Sequence, residues 1–163
     1  MKDTQSVINT TRSNYEQKRT TVRIYSSTKQ IIENIVGNRR DRANIQEFAN
    51  ASDIYEMLDQ LINDNSLNKL EVVIKALDFH YKKAVKIPHI NDSQRNEVTV
   101  KIFKTSRNAI ENTMHNDRSK TYTKEIAEAV KIYSIVYYVL GENTENKKEL
   151  LRGIIKNYLS TLS

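Results

Sequence analysis

The stretch that decides the fold is TVRIYSSTKQIIENI at residues 21–35, because it returns as TVKIFKTSRNAIENT at residues 99–113. The ungapped alignment at this 78-residue offset runs on to residues 40 and 118, and eight of its 20 positions are identical. Self-similarity at a fixed spacing indicates a duplicated structural unit more strongly than local propensity does. The sequence therefore predicts two copies of one supersecondary unit.

The repeat extends beyond this block. At the same offset NKLEVV at residues 68–73 matches NKKELL at 146–151. Between these blocks SDIYEML at 52–58 aligns with KEIAEAV at 124–130 at an offset of 72, which implies that six residues are lost in one loop and regained later. The predicted organisation is a flexible arm at 1–17, a first unit at 18–87, a linker at 88–95 and a second unit at 96–163.

Composition limits the class of protein. The chain has 163 residues, 38% of them apolar, and a mean hydropathy of −0.66, which predicts a soluble protein with room for a core. It has no cysteine, which excludes disulfides and thiol chemistry and fits a reducing cytoplasm. The most apolar run, IVYYVL at 135–140, is far shorter than the roughly 20 residues that cross a bilayer. We expect a cytoplasmic protein without a membrane segment.

Positive charge follows the repeat. The chain carries a net +6, while residues 18–42 alone carry +5 and residues 95–120 carry +3. Cations concentrated in the same part of each unit are typical of a surface that binds a polyanion. A solvated cationic face is the alternative interpretation.

Each unit opens with the pattern of a short strand. Val22 and Ile24 alternate with polar residues, and Val98, Val100 and Ile102 do the same. A lone strand of this length has no hydrogen-bond partner and is not stable. We therefore expect residues 20–25 to pair antiparallel with residues 98–103, within one chain or between two chains, since both arrangements satisfy the same hydrogen bonds.

The first helix of each unit follows its strand directly. Ser27 with Gln30 three residues later reads as a capping box, and Thr105 occupies the equivalent place. Gly37 suits the position just beyond the end of the first helix.

Two more helices are predicted in each unit. The second helices are expected to start near Ser52 and near Thr123, and the third helices fall within residues 67–85 and 146–162. The single proline, Pro88, marks the joint between the units. The predicted fold is mainly α with a short two-stranded antiparallel β-ribbon, built by two tandem strand-helix-helix-helix units around a pseudo-two-fold axis.

This order of elements, with basic and hydroxyl residues on the outer strand face, resembles the ribbon-helix-helix family, which includes the Arc and MetJ repressors. The resemblance covers residues 18–62 and 96–140. It implies a dimer-like fold whose antiparallel ribbon enters the major groove of double-stranded DNA, with both strands here supplied by one chain. It also implies no enzymatic activity.

The candidate base-reading residues follow from strand alternation, which turns Val22 and Ile24 inward. Arginine and lysine can donate to guanine, and threonine can contact base edges or the thymine methyl group. Glu97 departs from the pattern and either accepts from a cytosine amino group or lies off the DNA. The base-reading candidates are Arg19, Thr21, Arg23, Thr99 and Lys101.

Phosphate contacts are expected where the second helices start, because free backbone N–H groups there bind anions. Ordinary helix capping needs the same residue types and is the alternative. Cations of the first helices and of the loop that follows are further candidates for phosphate contact. Each loop cation taken singly is equally compatible with a solvated loop. The phosphate candidates are Ser52, Asp53, Thr123, Lys124, Lys29, Arg107, Arg39 and Arg40.

Nothing in the sequence predicts catalysis, a cofactor, a metal or a small-molecule substrate. The three histidines, His80, His89 and His115, are scattered without metal-binding spacing, and three glycines do not form a phosphate loop. The tyrosines in KIYSIVYYVL at 131–140 are more typical of core or interface than of a platform for single-stranded nucleic acid.

The function implied is that of a sequence-specific DNA-binding protein. The family's roles are transcription regulation, typically as a repressor, plasmid partition or copy control, and accessory action at a conjugative transfer origin. The third helices predict either more core than a minimal unit has or a surface for neighbouring copies on repeated sites. The alternative is a protein-interaction or assembly module built on the same duplicated fold.

Overall fold

The computed structural model of the chain describes residues 18–38, 43–64, 66–91 and 93–162. The predicted arm at 1–17 and the phosphate candidates Arg39 and Arg40 lie outside these residues. The described part of the chain is mainly helical, with six helices and one two-stranded antiparallel sheet.

One strand followed by three helices occurs twice along the chain. In the first half the elements are β1 (Arg19–Tyr25), α1 (Ser26–Val36), α2 (Ala43–Leu61) and α3 (Lys69–Tyr81). In the second half they are β2 (Glu97–Phe103), α4 (Lys104–Met114), α5 (Tyr122–Leu140) and α6 (Lys147–Ser160).

The two strands pair with each other within the chain, and their register obeys the repeat. Val22 lies directly opposite Val100, its equivalent at the 78-residue offset. The flanking pairs Thr21 with Lys101 and Arg23 with Thr99 are then related by a two-fold axis through the central pair. The predicted antiparallel pairing of the two segments is confirmed.

The junctions between strand and helix repeat the same symmetry. The N–H of Ser26 donates to the carbonyl of Asn96 at 2.8 Å, and the N–H of Lys104 donates to the carbonyl of Lys18 at 2.8 Å. Each first helix therefore finds acceptors for its free N–H groups in the backbone that leads into the opposite strand.

This arrangement overturns the predicted capping boxes. The helices α1 and α4 begin directly at the strand ends, with Tyr25 and Phe103 in the N-cap positions and no side-chain cap. Ser27 is buried inside α1, where its hydroxyl donates to the Gln94 carbonyl at 2.8 Å. A side-chain cap is unnecessary because the opposite chain segment supplies the acceptors. Gly37 ends α1 with a φ of 61°, as predicted.

The predicted start of a helix near Ser52 is wrong. Ser52 lies in the middle of α2, is buried, and donates its hydroxyl to the Phe48 carbonyl at 2.8 Å. The hydroxyl bonds back to the preceding turn of a continuous helix, so a residue type that favours caps is accommodated inside it. The predicted start near Thr123 is confirmed, because α5 begins at Tyr122 and ends before Gly141.

The proposed change of offset is also wrong. The helices α2 and α5 each have 19 residues, so no six-residue loss separates the halves. At the constant 78-residue offset Glu47 aligns with Glu125 and Tyr55 with Tyr133, and all four residues are buried. The match at an offset of 72 pairs Ile54 with Ile126 and Leu58 with Val130, which are buried aliphatic residues at the same four-residue spacing in the two helices.

The third helices are confirmed and carry equivalent caps. The Asn68 side chain accepts from the N–H of Glu71 at 2.9 Å, and the Asn146 side chain accepts from the N–H of Glu149 at 3.3 Å. Asparagine is among the preferred N-cap residues. The two capped helices, α3 and α6, pack against each other.

The halves are interleaved around one core. The helix α2 packs against β2 and α4 of the other half, and α5 packs against β1 and α1. The two long helices also contact each other. Completely buried side chains from both strands and all six helices meet in this core, among them Ile24, Ile32, Leu58, Leu77, Ile102, Ile110, Ile135 and Leu151.

Two buried tyrosines bond a buried and a half-buried glutamate and so join the two long helices across the core. The Tyr133 hydroxyl donates to the carboxylate of Glu47, and Tyr55 bonds Glu128. Burial raises the pKa of both phenols, and the neighbouring carboxylates raise it further. Both tyrosines stay protonated and act as donors at neutral pH, which satisfies polar groups that would otherwise be costly to bury.

Candidate nucleic-acid interface

The outer face of the ribbon carries all five predicted base-reading residues. Among the residues that alternate with them on the inner face, Val22, Ile24 and Ile102 are 7%, 0% and 1% exposed, and Val98 and Val100 are half-buried. The residues on the exposed outer face are Arg19, Thr21, Arg23, Thr99 and Lys101, together with Glu97. The predicted alternation is thus observed, whereas DNA contact by these residues stays a prediction.

The two ends of this outer face differ in charge. At one end Arg23 donates through Nε to Glu97 Oε1 at 3.0 Å, with side chains 66% and 39% exposed. At the other end the equivalent positions hold Lys101 and Arg19, which have no acidic partner among the described residues. An exposed pair of this kind contributes about 0–1 kcal/mol, so a ligand can compete for Arg23.

The aromatic residues at the strand ends take packing positions. Phe103 is 9% exposed, and Tyr25 is half-buried with the Arg95 guanidinium 4.9 Å from its ring centroid. Arg95 was not among the predicted site residues. The repeat gave no signal for it, because the equivalent position in the first half holds Gln17.

The start of α5 is tied to the ribbon. The Thr123 hydroxyl donates to the Arg23 carbonyl at 2.8 Å, and the Thr121 side chain accepts from the N–H of Lys124 at 3.2 Å. The Lys124 side chain is exposed. Thr123 therefore contacts the strand backbone, while Lys124 is the residue of this pair that remains accessible to a phosphate.

The equivalent cations of the first helices are placed differently. The Arg107 guanidinium lies 4.9 Å from the ring centroid of Tyr122, the first residue of α5. Lys29 Nζ lies 3.8 Å from a Glu33 carboxylate oxygen on its own helix. Arg107, in the first turn of α4, thus contacts the first residue of α5, two residues before Lys124 in the chain.

Ser52 and Asp53 lack the position on which their assignment depended. Ser52 is buried within α2, and Asp53 forms an ion pair with Lys148 of α6 at 3.1 Å. The helix actually starts at Ala43, next to residues 39–42, which lie outside the described part of the chain. Neither residue is retained as a phosphate contact.

Other polar clusters of the described residues serve tertiary contacts. His115 Nε2 lies 2.9 Å from a carboxylate oxygen of Asp59, which also pairs with Lys69 at 3.1 Å. These pairs join α4 and α3 to α2. Within the described residues no group of three acidic or histidine side chains is arranged to hold a metal ion.

The tyrosines near the end of α5 are divided between core and surface. Tyr133 is buried, Tyr137 is half-buried, and Tyr138 is 47% exposed with its ring 5.3 Å from that of Tyr137. Within the described ranges, no helix combines the length and apolar character needed to cross a membrane.

Comparisons with models of known protein families, with curated proteins and with solved structures gave no match.

Proposed function

We propose that this chain is a non-enzymatic, sequence-specific double-stranded DNA-binding protein, in which two tandem ribbon-helix-helix units form one pseudo-two-fold domain. The observation that carries the proposal is the register of the ribbon. Because Val22 faces Val100, equivalent polar residues on both strands emerge on one exposed face.

The chemistry of that face suits the major groove. A two-stranded ribbon fits its width, arginine and lysine donate to guanine O6 and N7, and threonine contacts the thymine methyl group. The central pairs place Thr21 beside Lys101 and Arg23 beside Thr99, so each threonine lies next to a long cation. We expect Lys124 and Arg107, near the start of α5, to contact the flanking phosphates.

The biological role that we propose is occupation of a defined duplex site, as a transcription regulator or as an accessory factor in plasmid partition or transfer. Such roles require tight and specific binding without covalent chemistry. Contact between copies on repeated sites belongs to the same proposal.

The first experiment is a binding assay with duplexes selected from a random pool. The double variant Arg23→Ala/Lys101→Ala should lose specific binding by about a hundredfold, since each base contact is worth about 1–3 kcal/mol. The matched control Lys75→Ala/Lys156→Ala removes the same charge from exposed positions on α3 and α6 and should bind nearly as well. Unchanged specific binding by the ribbon variant would contradict the proposal.

Salt dependence gives a second readout. The logarithm of the wild-type binding constant should fall with the logarithm of salt concentration, with a slope of about −0.9 for each phosphate neutralised. A flat dependence would show that the cations do not contact the DNA backbone.

An assembly module is the second candidate function, and one observation favours it. The third helices expose Phe79 (45%), Leu150 (39%) and, beyond the end of α6, Leu162 (53%). If self-association persists in sedimentation experiments while no duplex binds at low salt, this second function replaces the first.

A further inference from the structure

The two ends of the ribbon are equivalent in the 78-residue repeat but differ in chemistry. The 78-residue offset and the strand register make Glu97 the counterpart of Arg19 and Arg23 the counterpart of Lys101. One end therefore holds an arginine bonded to a glutamate, and the other holds two cations. The central residues Thr21 and Thr99 are identical.

At the acidic end, both Arg23 and Glu97 keep groups that can form hydrogen bonds with a base pair. Arg23 is bonded to Glu97 through Nε, and the remaining part of its guanidinium fork carries the donors that suit guanine O6 and N7. Glu97 keeps acceptor capacity and is 39% exposed, and a cytosine amino group is the matching donor in the major groove. A single G·C pair offers both partners.

The opposite end has no such complementarity. Arg19 and Lys101 present donors alone, so they match guanine acceptors or phosphate oxygens and gain nothing from a cytosine amino group. At this end, the position equivalent to Glu97 holds the cation Arg19 in place of a carboxylate. A cation attracts phosphate oxygens, whereas a carboxylate would repel them. The face as a whole carries three cations and one acid.

We propose that Glu97 is a specificity-determining residue that makes the ribbon directional. The protein binds a non-palindromic duplex site in one orientation, with the Arg23–Glu97 end over a G·C pair and the Arg19–Lys101 end over acceptors. This inference rests on the proposed DNA-binding function. It adds that the duplicated halves read different half-sites.

The decisive variant is Glu97→Arg, because it gives position 97 the same residue as its equivalent, Arg19, and so makes the two ends of the ribbon alike. The wild type should select a non-palindromic consensus and prefer it at least about tenfold over the palindrome made by duplicating either half-site. In Glu97→Arg both ends of the ribbon carry two cations, so the preference over the palindrome built from the Arg19–Lys101 half-site should fall to about onefold or below. Glu97→Gln keeps the side-chain length without the charge and should lose the G·C requirement at that end alone.

Two controls accompany the comparison of Glu97→Arg with the wild type. Glu145→Arg makes the same charge change in the exposed loop between α5 and α6 and should leave the preference unchanged. Circular dichroism and thermal melting should show that all variants fold like the wild type, since Glu97 is exposed.

Orientation can be measured directly because the chain has no cysteine. The variant Ser93→Cys places one thiol in an exposed segment before β2, where an attached iron chelate can cleave nearby DNA. Cleavage should fall on one side of the wild-type consensus. In Glu97→Arg it should fall on both sides.

The outcomes separate the two proposals. A palindromic wild-type consensus, or an unchanged preference in Glu97→Arg, would overturn directionality and leave sequence-specific duplex binding intact. The lack of any consensus would overturn both directionality and sequence-specific binding. Failure of the wild type to bind any duplex at low salt would overturn the DNA-binding function itself.

Discussion

At the centre of the ribbon Val22 faces its own equivalent, Val100, whereas at the ends equivalent positions carry opposite charges, Arg19 and Glu97. The first half and the second half of the chain agree in their order of elements, their strand register and the caps of their third helices. They differ on the exposed face. The repeated order of elements is thus held by equivalent buried contacts, and the difference in charge lies on exposed side chains.

The largest expected effect comes from separating the halves. Residues 1–87 and 88–163 produced as two polypeptides should each fail to fold as a monomer, because α2 packs against the second half and α5 against the first. Mixed together, they should recover helical circular dichroism and form a 1:1 complex by native mass spectrometry. A stable, helical monomer from either half would contradict the interleaved core.

Equivalent core substitutions should cost equivalent stability. Ile24→Ala and Ile102→Ala remove side chains that are 0% and 1% exposed, and each should lower the free energy of unfolding by about 2–5 kcal/mol. Chemical denaturation of both variants measures the two losses. A loss in one variant more than twice the loss in the other would show that the halves are not supported alike.

Two buried serines near the starts of α1 and α4 should respond with opposite signs. Ser27 donates to the Gln94 carbonyl at 2.8 Å, so Ser27→Ala should cost about 1 kcal/mol. The Ser106 hydroxyl is buried and has no partner within the described residues, so Ser106→Ala should stabilise by up to about 1 kcal/mol. Thermal melting compares them, and destabilisation by Ser106→Ala would reveal a partner for that hydroxyl.

The smallest expected effect is on the pH dependence of stability, which should change in opposite directions when Glu125 and Glu149 are substituted. Burial raises the pKa of Glu125, so its stabilising contribution is full below about 4.5 and is lost as pH rises through the folded-state value. Glu125→Gln should therefore melt higher than wild type at pH 7, with a smaller difference at pH 4. The glutamine also keeps a group able to bond the Thr113 hydroxyl, 2.9 Å from the native carboxylate.

The control for that experiment is Glu149→Gln. The hydrogen bond from Arg152 lowers the pKa of Glu149, so its contribution is present above the ordinary value and is lost as pH falls through the folded-state value. This variant should melt slightly lower than wild type at pH 7 and converge with it in acid. If the melting temperatures of both variants shift in the same direction from wild type at pH 7, burial does not distinguish the two carboxyl groups.

Much of the scaffold follows from the sequence. Alternation at Val22 and Ile24 and the 78-residue offset predicted the strands, their pairing and the exposed cationic face, and Gly37 marked the end of α1. These features depend on local periodicity or on the repeat itself, which a single sequence displays.

What the sequence did not reveal depends on contacts between distant segments. Ser27 resembles a helix cap, but the caps of α1 and α4 come from the backbone of the opposite half. Ser52 also resembles a helix cap in sequence, yet its hydroxyl donates to the Phe48 carbonyl inside a continuous helix. Extending the constant offset through Tyr55 and Tyr133 would have placed α2 correctly from sequence alone.

The central claim is that the outer face of the ribbon contacts duplex DNA, and photocrosslinking tests it most directly. A benzophenone side chain is introduced at the exposed position 21 or 99, with position 75 on α3 as the control. Crosslinks to a selected duplex from both ribbon positions, and none from the control, are the expected result. Crosslinks from position 75 with none from positions 21 and 99 would contradict the account.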